Sequence, residues 1–546
     1  MREKSCKVRT IHDWLKDKLQ SRELAHPRCQ QIASEIFDLI YDVSQGRAGD
    51  AHLASIFDLS DHLTSEGMPP ACRRLGEELS NRVQANREVF ESHIQTHTCP
   101  TGDCPMLTPA PCQMACPAGI DIPTYIMLIG QGRYAEAIEV IRKDNPFPWI
   151  CGLICTHPCE CMCVRGRMDS PIAIMDLKGF TSEKAMSAME YGNPPKMPDN
   201  GQKVCVIGAG PGGLTAAYYL ALQGYQVTII EALPVVGGMM MVGIPRYRLP
   251  REVIDREVNM IEELGVEIRL NTRLGEDVTY TDLAAEGFAA YLIAVGAHGS
   301  YKLMIPGEDD YPEVISAVDY LRRVSLGDHR RPGKRVAVVG GGNVAIDAAR
   351  TSLRLGCEEV TILYRRTHDQ MPAHSEEVVE AEEEGIQFSY LTIPKEIVGE
   401  NGHVTGLVCV RAELSEPDDS GRQRPVPVEG SEHELPVDVV IPAIGQEVDS
   451  LGLDDFNDVD WTRRNTLRVN TVSMQTHQAG IFAVGDAVTG PATVVEAIAG
   501  GKKAASAIHR YFEGIPQPEL PPVPVRRSRT DYFTLPASLK MDLKRP

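Results

Sequence analysis

Residues 204–231 read VCVIGAGPGGLTAAYYLALQGYQVTIIE. An apolar strand runs into three glycines, Gly208, Gly210 and Gly213; a helix and a second apolar strand follow, and Glu231 stands where that strand ends. The pattern is that of a dinucleotide-binding βαβ unit. Gly208 permits a tight turn, Gly210 lets the backbone approach a pyrophosphate, Gly213 lets helix pack on strand, and Glu231 can take a ribose 2′-hydroxyl. A bare glycine triplet is a weak signal; the two flanking strands and the terminal acid make it a strong one and point to an α/β fold class.

A second fingerprint, VAVVGGGNVAIDAAR, begins at Val336, with Gly340, Gly342 and Ala345 in the three glycine roles and Asn343 opening the helix. Alanine in the third place suits a nicotinamide dinucleotide. The strand VTILYRR ends in Arg365 and Arg366 where an NAD site would offer an acid, and guanidinium groups can clamp a 2′-phosphate. NADPH is therefore expected in preference to NADH, which stays open. His368 and His374 nearby read as surface residues. Further on, GIFAVGDAVTGPATVVEAIAGGKKAA carries Gly485 and Asp486, with Asp486 placed to hydrogen-bond a ribityl hydroxyl of FAD. A helix beginning near Thr493 and Val494 would turn its N-terminal dipole toward the flavin's pyrimidine edge. The first fingerprint is then the FAD site and the second the nicotinamide site.

At 546 residues the chain has room for about three or four domains. No apolar run approaches the roughly 18 residues of a membrane span, and the start, MREKSCKVRTIHDW, has no apolar h-region after its basic residues. A soluble, cytoplasmic protein without membrane insertion is expected. Acids outnumber bases 75 to 55, for a net charge of −20, which argues against nucleic acid as a general partner. Fifteen cysteines without a signal peptide point to metal or redox chemistry rather than disulfides.

Nine of those cysteines lie between Cys99 and Cys163: Cys99, Cys104, Cys112, Cys116, then Cys151, Cys155, Cys159, Cys161 and Cys163. Closely spaced thiolates, with Pro117 directly after Cys116, suit iron–sulfur clusters. Four thiolates also suit structural zinc, but a flavin fingerprint forty residues downstream favours iron, because zinc cannot move electrons. Cys205, Cys357 and Cys409 sit in or beside apolar strand-like runs and read as core residues. Before the cysteines, Ile32 to Val43, Leu53 to Leu63 and a run from Leu75 to Ile94 place apolar residues at helical spacing.

CQMACPAGIDIP, then ICGLICTHPCECMCVRGRMDSPIAI, then the glycine fingerprint, resembles the small (beta) subunit of NADPH-dependent glutamate synthase. The N-terminal half of dihydropyrimidine dehydrogenase and the large subunit of NADH-dependent ferredoxin:NADP oxidoreductase share the pattern. The resemblance covers about residues 99 to 512. It implies two 4Fe–4S clusters, one on Cys99, Cys104, Cys112 and Cys163, the other on Cys116, Cys155 and Cys159 with a Glu or Gln. Two departures stand out: four residues separate Cys99 from Cys104 where the family has two, and Lys178, which is no ligand when protonated, takes the place of the Glu or Gln. Cys161, Cys151, Asp176 or a water could complete that cluster. The resemblance also runs Gly238 and GIPRYRLP beneath the flavin ring; the absence of a following Cys-x-x-x-x-Cys disfavours a disulfide reductase. Residues 1–98 resemble the helical bundle that ends the NADH-binding subunit of complex I, with Cys29 and Cys72 retained and Glu23 and His26 where two cluster cysteines would fall.

The expected organisation is two Rossmann-like domains, glutathione-reductase-like, with the nicotinamide domain inserted in the FAD domain, preceded by an all-α iron–sulfur domain and a helical bundle. Residues 1–98 form the bundle, with a docking role; 99–198 hold the clusters; 199–301 and 446–515 bind FAD; 302–445 bind NADPH, with a polar insertion loop near 415–433; 516–546 form an extended tail. The expected function is an electron-transfer flavoprotein subunit, working with other subunits of a redox complex or a ferredoxin-like protein. The alternatives are a glutamate synthase small subunit and, from another class, a zinc-binding flavin scaffold or redox sensor. No acid–base catalytic residue is required.

Overall fold

The computed structural model describes residues 6–20, 26–44, 48–49, 51–95, 99, 110–417, 423–449, 452–453, 456, 459–515 and 517. Glu23, Cys104 and the tail from 518 onward lie outside the described residues. The chain divides into two compact units, residues 1–114 and 115–546. The division falls after Met114 rather than at 98, so Cys99 and Cys112 belong to the first unit.

Among the described residues, the bundle of the first unit is made of the helices Lys7–Gln20, Pro27–Ser44, Ala51–Thr64, Pro70–Gln84 and Arg87–Gln95. Ile36, Ile40, Ile56, Leu63, Leu79, Val83 and Phe90 interlock in their shared core, where helices too short to be stable alone gain their stability. The apolar run from Leu75 to Ile94 forms two helices, not one. Asn86 breaks it: its carbonyl accepts the Val89 and Phe90 N–H groups while its side chain donates to the Arg82 carbonyl. Cys29 and Cys72 are buried together in this core, and burial pushes the Cys29 thiol up to about 12.

The second unit opens with helices Ile122–Gly130, Tyr134–Arg142, Pro148–Ile154 and Ile174–Ser187. Among the described residues these strands follow: β1 Lys203–Ile207, β2 Gln226–Ile230, β3 Glu267–Arg269, β4 Ala290–Ile293, β5 Gly299–Ser300, β6 Arg335–Val339, β7 Glu359–Tyr364, β8 Gln387–Tyr390, β9 Thr392–Glu400, β10 His403–Leu414, β11 Pro425–Pro427, β12 His433–Pro436, β13 Val439–Pro442, β14 Gln446–Glu447 and β15 Ile481–Ala483. One parallel sheet has the order β15-β4-β1-β2-β3 and another the order β13-β6-β7-β8. Their central strands are buried nearly end to end, as strands covered on both faces must be. In each sheet the chain steps outward from the first strand, β1 to β3 or β6 to β8, and later adds a strand on its other side, β4 or β13; this reversal opens a crevice at the carboxyl ends.

The chain passes from the first sheet to the second after β4 and returns after β13. At these two passages β5 and β14 pair antiparallel, Ser300 against Gln446 and Gly299 against Glu447. The stretch expected as a polar insertion loop contains β11 and ends where β12 begins; both strands pair antiparallel with β10. Proline at both ends of β11 and the exposure of both strands mask the strand pattern there.

Candidate active site

A cleft of about 1380 Å³, open to solvent, lies at the carboxyl ends of β1, β2, β4 and β15. Gly208, Gly210, Glu231, Gly238, Gly485, Asp486, Thr493 and Val494 all line it. Gly208 turns at φ +109°, and a Cβ there would stand 2.5 Å from the Ala294 carbonyl oxygen. At Gly210 a Cβ would meet nothing within 4 Å, so bare backbone faces open space. Gly213 is set back from the cleft; its Cβ would collide with the Gly208 carbonyl at 2.2 Å. Tight turn, open backbone and close helix packing are the three properties a pyrophosphate cradle needs, so these residues fit an FAD.

Glu231 is buried and accepts the Ala209 N–H at 2.7 Å and the Leu233 N–H at 2.8 Å. Burial raises its pKa, with the backbone donors pulling the other way. The carboxylate thus braces the glycine turn as well as lining the cleft. Asp486 accepts the Ala492 N–H at 3.1 Å, and burial pushes it up to about 6. Thr493 caps the helix Val494–Phe512 in a reciprocal arrangement with Glu496, which fixes where that helix N-terminus points. His298, in the same cleft, was not singled out by sequence; burial and the Arg322 guanidinium push it down to about 4, so it is neutral at pH 7.

A second cleft, of about 1340 Å³, joins three parts of the unit. Cys155, Thr156 and His157 line it from the cysteine-rich segment, Arg248, Asp486, Thr493 and Val494 from the flavin side, and Asn343, Asp347 and His374 from the nicotinamide side. His374 is therefore not a plain surface residue. Its backbone N–H donates to Asn343 Oδ1 at 2.9 Å, and its ring lies 5.1 Å from that of His157. His368 is exposed. Gly340, at φ +150°, would set a Cβ 2.2 Å from the Ala443 carbonyl, Gly342 is open, and Ala345 is fully buried. Arg365 and Arg366 directly follow β7, beside the strand that leads into this glycine turn. Arg365 is exposed; Arg366 is half-buried, and its Nε has no hydrogen-bond partner among the described residues.

Among the cysteines of the second unit, Cys151 and Cys159 are buried, Cys116, Cys155 and Cys163 half-buried, and Cys161 exposed. Lys178 is buried among them. Burial pulls its pKa down, but Cys151, Cys155, Cys116 and Cys159 pull it up and prevail. Four soft donors around one buried cation suit an electron-rich iron–sulfur cluster, whose negative charge the ammonium would offset. The helix Pro148–Ile154 that carries Cys151 is held by Glu257, whose carboxylate accepts the Trp149 N–H at 2.9 Å, the Ile150 N–H at 3.0 Å and the Tyr191 hydroxyl.

With fold and site in view, comparison with known proteins gives the class. Residues 202–501 match the model of the pyridine nucleotide-disulphide oxidoreductase family, and the chain belongs to that family. Residues 84–190 match dihydropyrimidine dehydrogenase domain II, a 4Fe–4S cluster domain. The chain is thus an FAD- and nicotinamide-dependent iron–sulfur oxidoreductase.

Among its relatives is the NADP(+)-dependent formate dehydrogenase subunit beta of Moorella thermoacetica, 46% identical over 74% of this chain and 60% of its own length. The NADPH-Fe(3+) oxidoreductase subunit beta of Geobacter sulfurreducens is 41% identical over 87% of this chain and 75% of its own length. The glutamate synthase [NADPH] small chain of Azospirillum brasilense is 36% identical over 73% of this chain and 86% of its own length. The resemblance drawn from CQMACPAGIDIP and the glycine fingerprint is thereby borne out. No helix among the described residues is long and apolar enough to cross a membrane.

Proposed function

We propose that this chain is the electron-transfer flavoprotein subunit of a multisubunit oxidoreductase. It passes hydride between NADPH and FAD, and single electrons through 4Fe–4S clusters to or from a partner subunit or a ferredoxin-like protein. One observation carries the reading: a single cleft is lined by Cys155, by Asn343 at the nicotinamide fingerprint and by Asp486 and Thr493 of the flavin site. FAD, when bound, supplies the chemistry that takes two electrons as hydride and returns them singly.

The residues then have separate tasks. Gly208, Gly210 and Glu231 hold the adenine-side half of FAD; Asp486, Gly485 and Gly238 face its ribityl and ring portion, with Thr493 and Val494 presenting a helix N-terminus. Gly340, Gly342, Asn343 and Ala345 hold the nicotinamide dinucleotide, and Arg365 and Arg366 its 2′-phosphate, which favours NADPH. Cys116, Cys155 and Cys159 hold one cluster. Cys151, four residues before Cys155 and buried on the helix Pro148–Ile154, is our candidate to complete that set. For the second cluster, the family resemblance alone assigns Cys99, Cys104, Cys112 and Cys163. A cytoplasmic location accords with this chemistry.

A glutamate synthase small subunit is the second reading, favoured by the Azospirillum match over 86% of that protein's length. The broader match of the Geobacter protein, over 87% of this chain against 73%, supports the first. Iron, acid-labile sulfide and flavin analysis of anaerobically purified protein tests the proposal. About one FAD with about eight irons and eight sulfides per chain is expected; zinc in place of iron with no labile sulfide would overturn it.

A further inference from the structure

Three metal-ligating side chains meet in the core of the first unit. Cys6 precedes the helix Lys7–Gln20, His93 lies in the last turn of Arg87–Gln95, and Cys99 follows that helix. Cys6 and His93 are fully buried and Cys99 is 9% exposed. Their ligand atoms, two thiol sulfurs and an imidazole nitrogen, all lie within 4.8 Å of one another. Cys6 Sγ stands 3.3 Å from His93 Nε2.

The imidazole is oriented for metal. His93 Nδ1 lies 2.7 Å from the Val89 carbonyl oxygen. A carbonyl can only accept, so Nδ1 carries the proton and Nε2 turns a lone pair toward Cys6. Metal-bound histidines are fixed in this way, one ring nitrogen donating to a carbonyl while the other binds.

The spacing selects the kind of metal centre. Around tetrahedral zinc, with bonds of about 2.3 Å to sulfur and about 2.0 Å to nitrogen, sulfur and nitrogen ligands stand about 3.5 Å apart and two sulfurs about 3.8 Å. Cys6 and His93 stand 3.3 Å apart, close to the sulfur–nitrogen value, and Cys99 Sγ lies within 4.8 Å of both, near enough to share their ion. Thiolates on an iron–sulfur cubane bind different irons and stand farther apart. A thiol–imidazole hydrogen bond would join two groups, whereas three converge here, Cys6 from one end of the bundle and His93 and Cys99 from the other, and two thiols with one imidazole are donors that favour zinc.

We propose that Cys6, His93 and Cys99 bind one zinc ion that ties the start of the bundle to its last helix. The two thiols release their protons to solvent on binding, and the remaining coordination position takes water or a further donor. Cys99 then leaves the iron–sulfur ligand set that family resemblance assigns it to. The zinc site is independent of the electron-transfer reading.

Metal analysis of the full-length protein, purified anaerobically with its flavin and iron, tests this. About one zinc per chain is expected besides the iron, and Cys6→Ser and His93→Gln should each lose most of the zinc while iron, sulfide and flavin stay constant. If both variants fail to fold, zinc-edge X-ray absorption of the wild-type protein still decides, since a shell of sulfur and nitrogen is expected. Zinc retained in folded variants, iron lost with it in equal measure, wild-type protein without zinc, or an all-oxygen shell would each overturn the proposal.

Discussion

Arg248 joins the two dinucleotide-binding sheets by gripping Asp347: its Nη1 lies 2.9 Å and 2.8 Å from the two carboxylate oxygens. Arg248 follows the flavin fingerprint, and Asp347 sits on the helix Asn343–Arg354 that opens at the nicotinamide fingerprint. The side chains are 18% and 6% exposed, and Arg248 also reaches Glu377. Burial pushes Asp347 up to about 6 although Arg248 opposes the shift. Breaking a buried pair from one side costs about 3–5 kcal/mol, so Arg248→Gln should lower the melting temperature and weaken NADPH use together. A double-mutant cycle with Asp347→Asn should show coupling of about 0.5–3 kcal/mol; additive effects would show that the pair does not hold the sheets.

The glycines of the flavin turn should separate into two behaviours. A Cβ at Gly208 or Gly213 meets backbone at 2.5 Å or 2.2 Å, whereas one at Gly210 meets nothing within 4 Å. Gly208→Ala and Gly213→Ala should therefore destabilise the domain itself. Gly210→Ala should keep the apoprotein's melting temperature and lose FAD affinity, which flavin fluorescence titration reads directly.

Glu257 gives a pH dependence with a definite sign. Burial pushes its carboxyl up to about 7 from an ordinary 4.5, despite the N–H groups of Trp149 and Ile150 and the Tyr191 hydroxyl. The folded chain thus binds this proton more tightly than the unfolded one. Its stabilising contribution is full below pH 4.5 and is lost as pH rises to about 7, a change of up to about 3 kcal/mol. Glu257→Gln removes the titration. The melting-temperature difference, wild type minus variant, should fall across that window when scanned at one rate; a flat difference would show that burial does not set this group's pKa.

Arg365 and Arg366 should discriminate between the nicotinamide dinucleotides. Replacing both with serine should lower kcat/KM for NADPH by about ten-fold or more and leave NADH nearly unchanged, since charge-assisted phosphate contacts are worth about 1.5–3 kcal/mol each. Viologen-dye reduction with each cofactor measures this; equal losses would assign the arginines to structure.

Legibility in the sequence followed locality. Gly208, Gly210, Gly340 and Asp486 were readable because each meets a backbone demand set within a few residues of itself. Glu257 was not: on the helix Arg251–Glu263 it looks like one more acid on a solvated face, and only packing against Pro148–Ile154 buries it. Arg248 lies 99 residues from Asp347, and Cys6 lies 87 from His93; no spacing rule spans such gaps. Cys99 illustrates the opposite hazard, since its neighbours in sequence suggest a cluster ligand while the fold sets it beside Cys6 and His93. The exposed strands β11 and β12 stayed hidden for want of a buried face to give them a period, and the prolines of β11 read as loop.

Electron passage from the flavin site to the cysteine set around Cys155 is tested most directly by low-temperature electron paramagnetic resonance. Anaerobic protein would be frozen at intervals after mixing with NADPH held at a high ratio to NADP⁺, with flavin absorbance followed in parallel. Iron–sulfur signals that grow as the flavin bleaches, and that weaken in Cys155→Ser, are the predicted result. A fully bleached flavin beside iron–sulfur centres that only dithionite can reduce would contradict it.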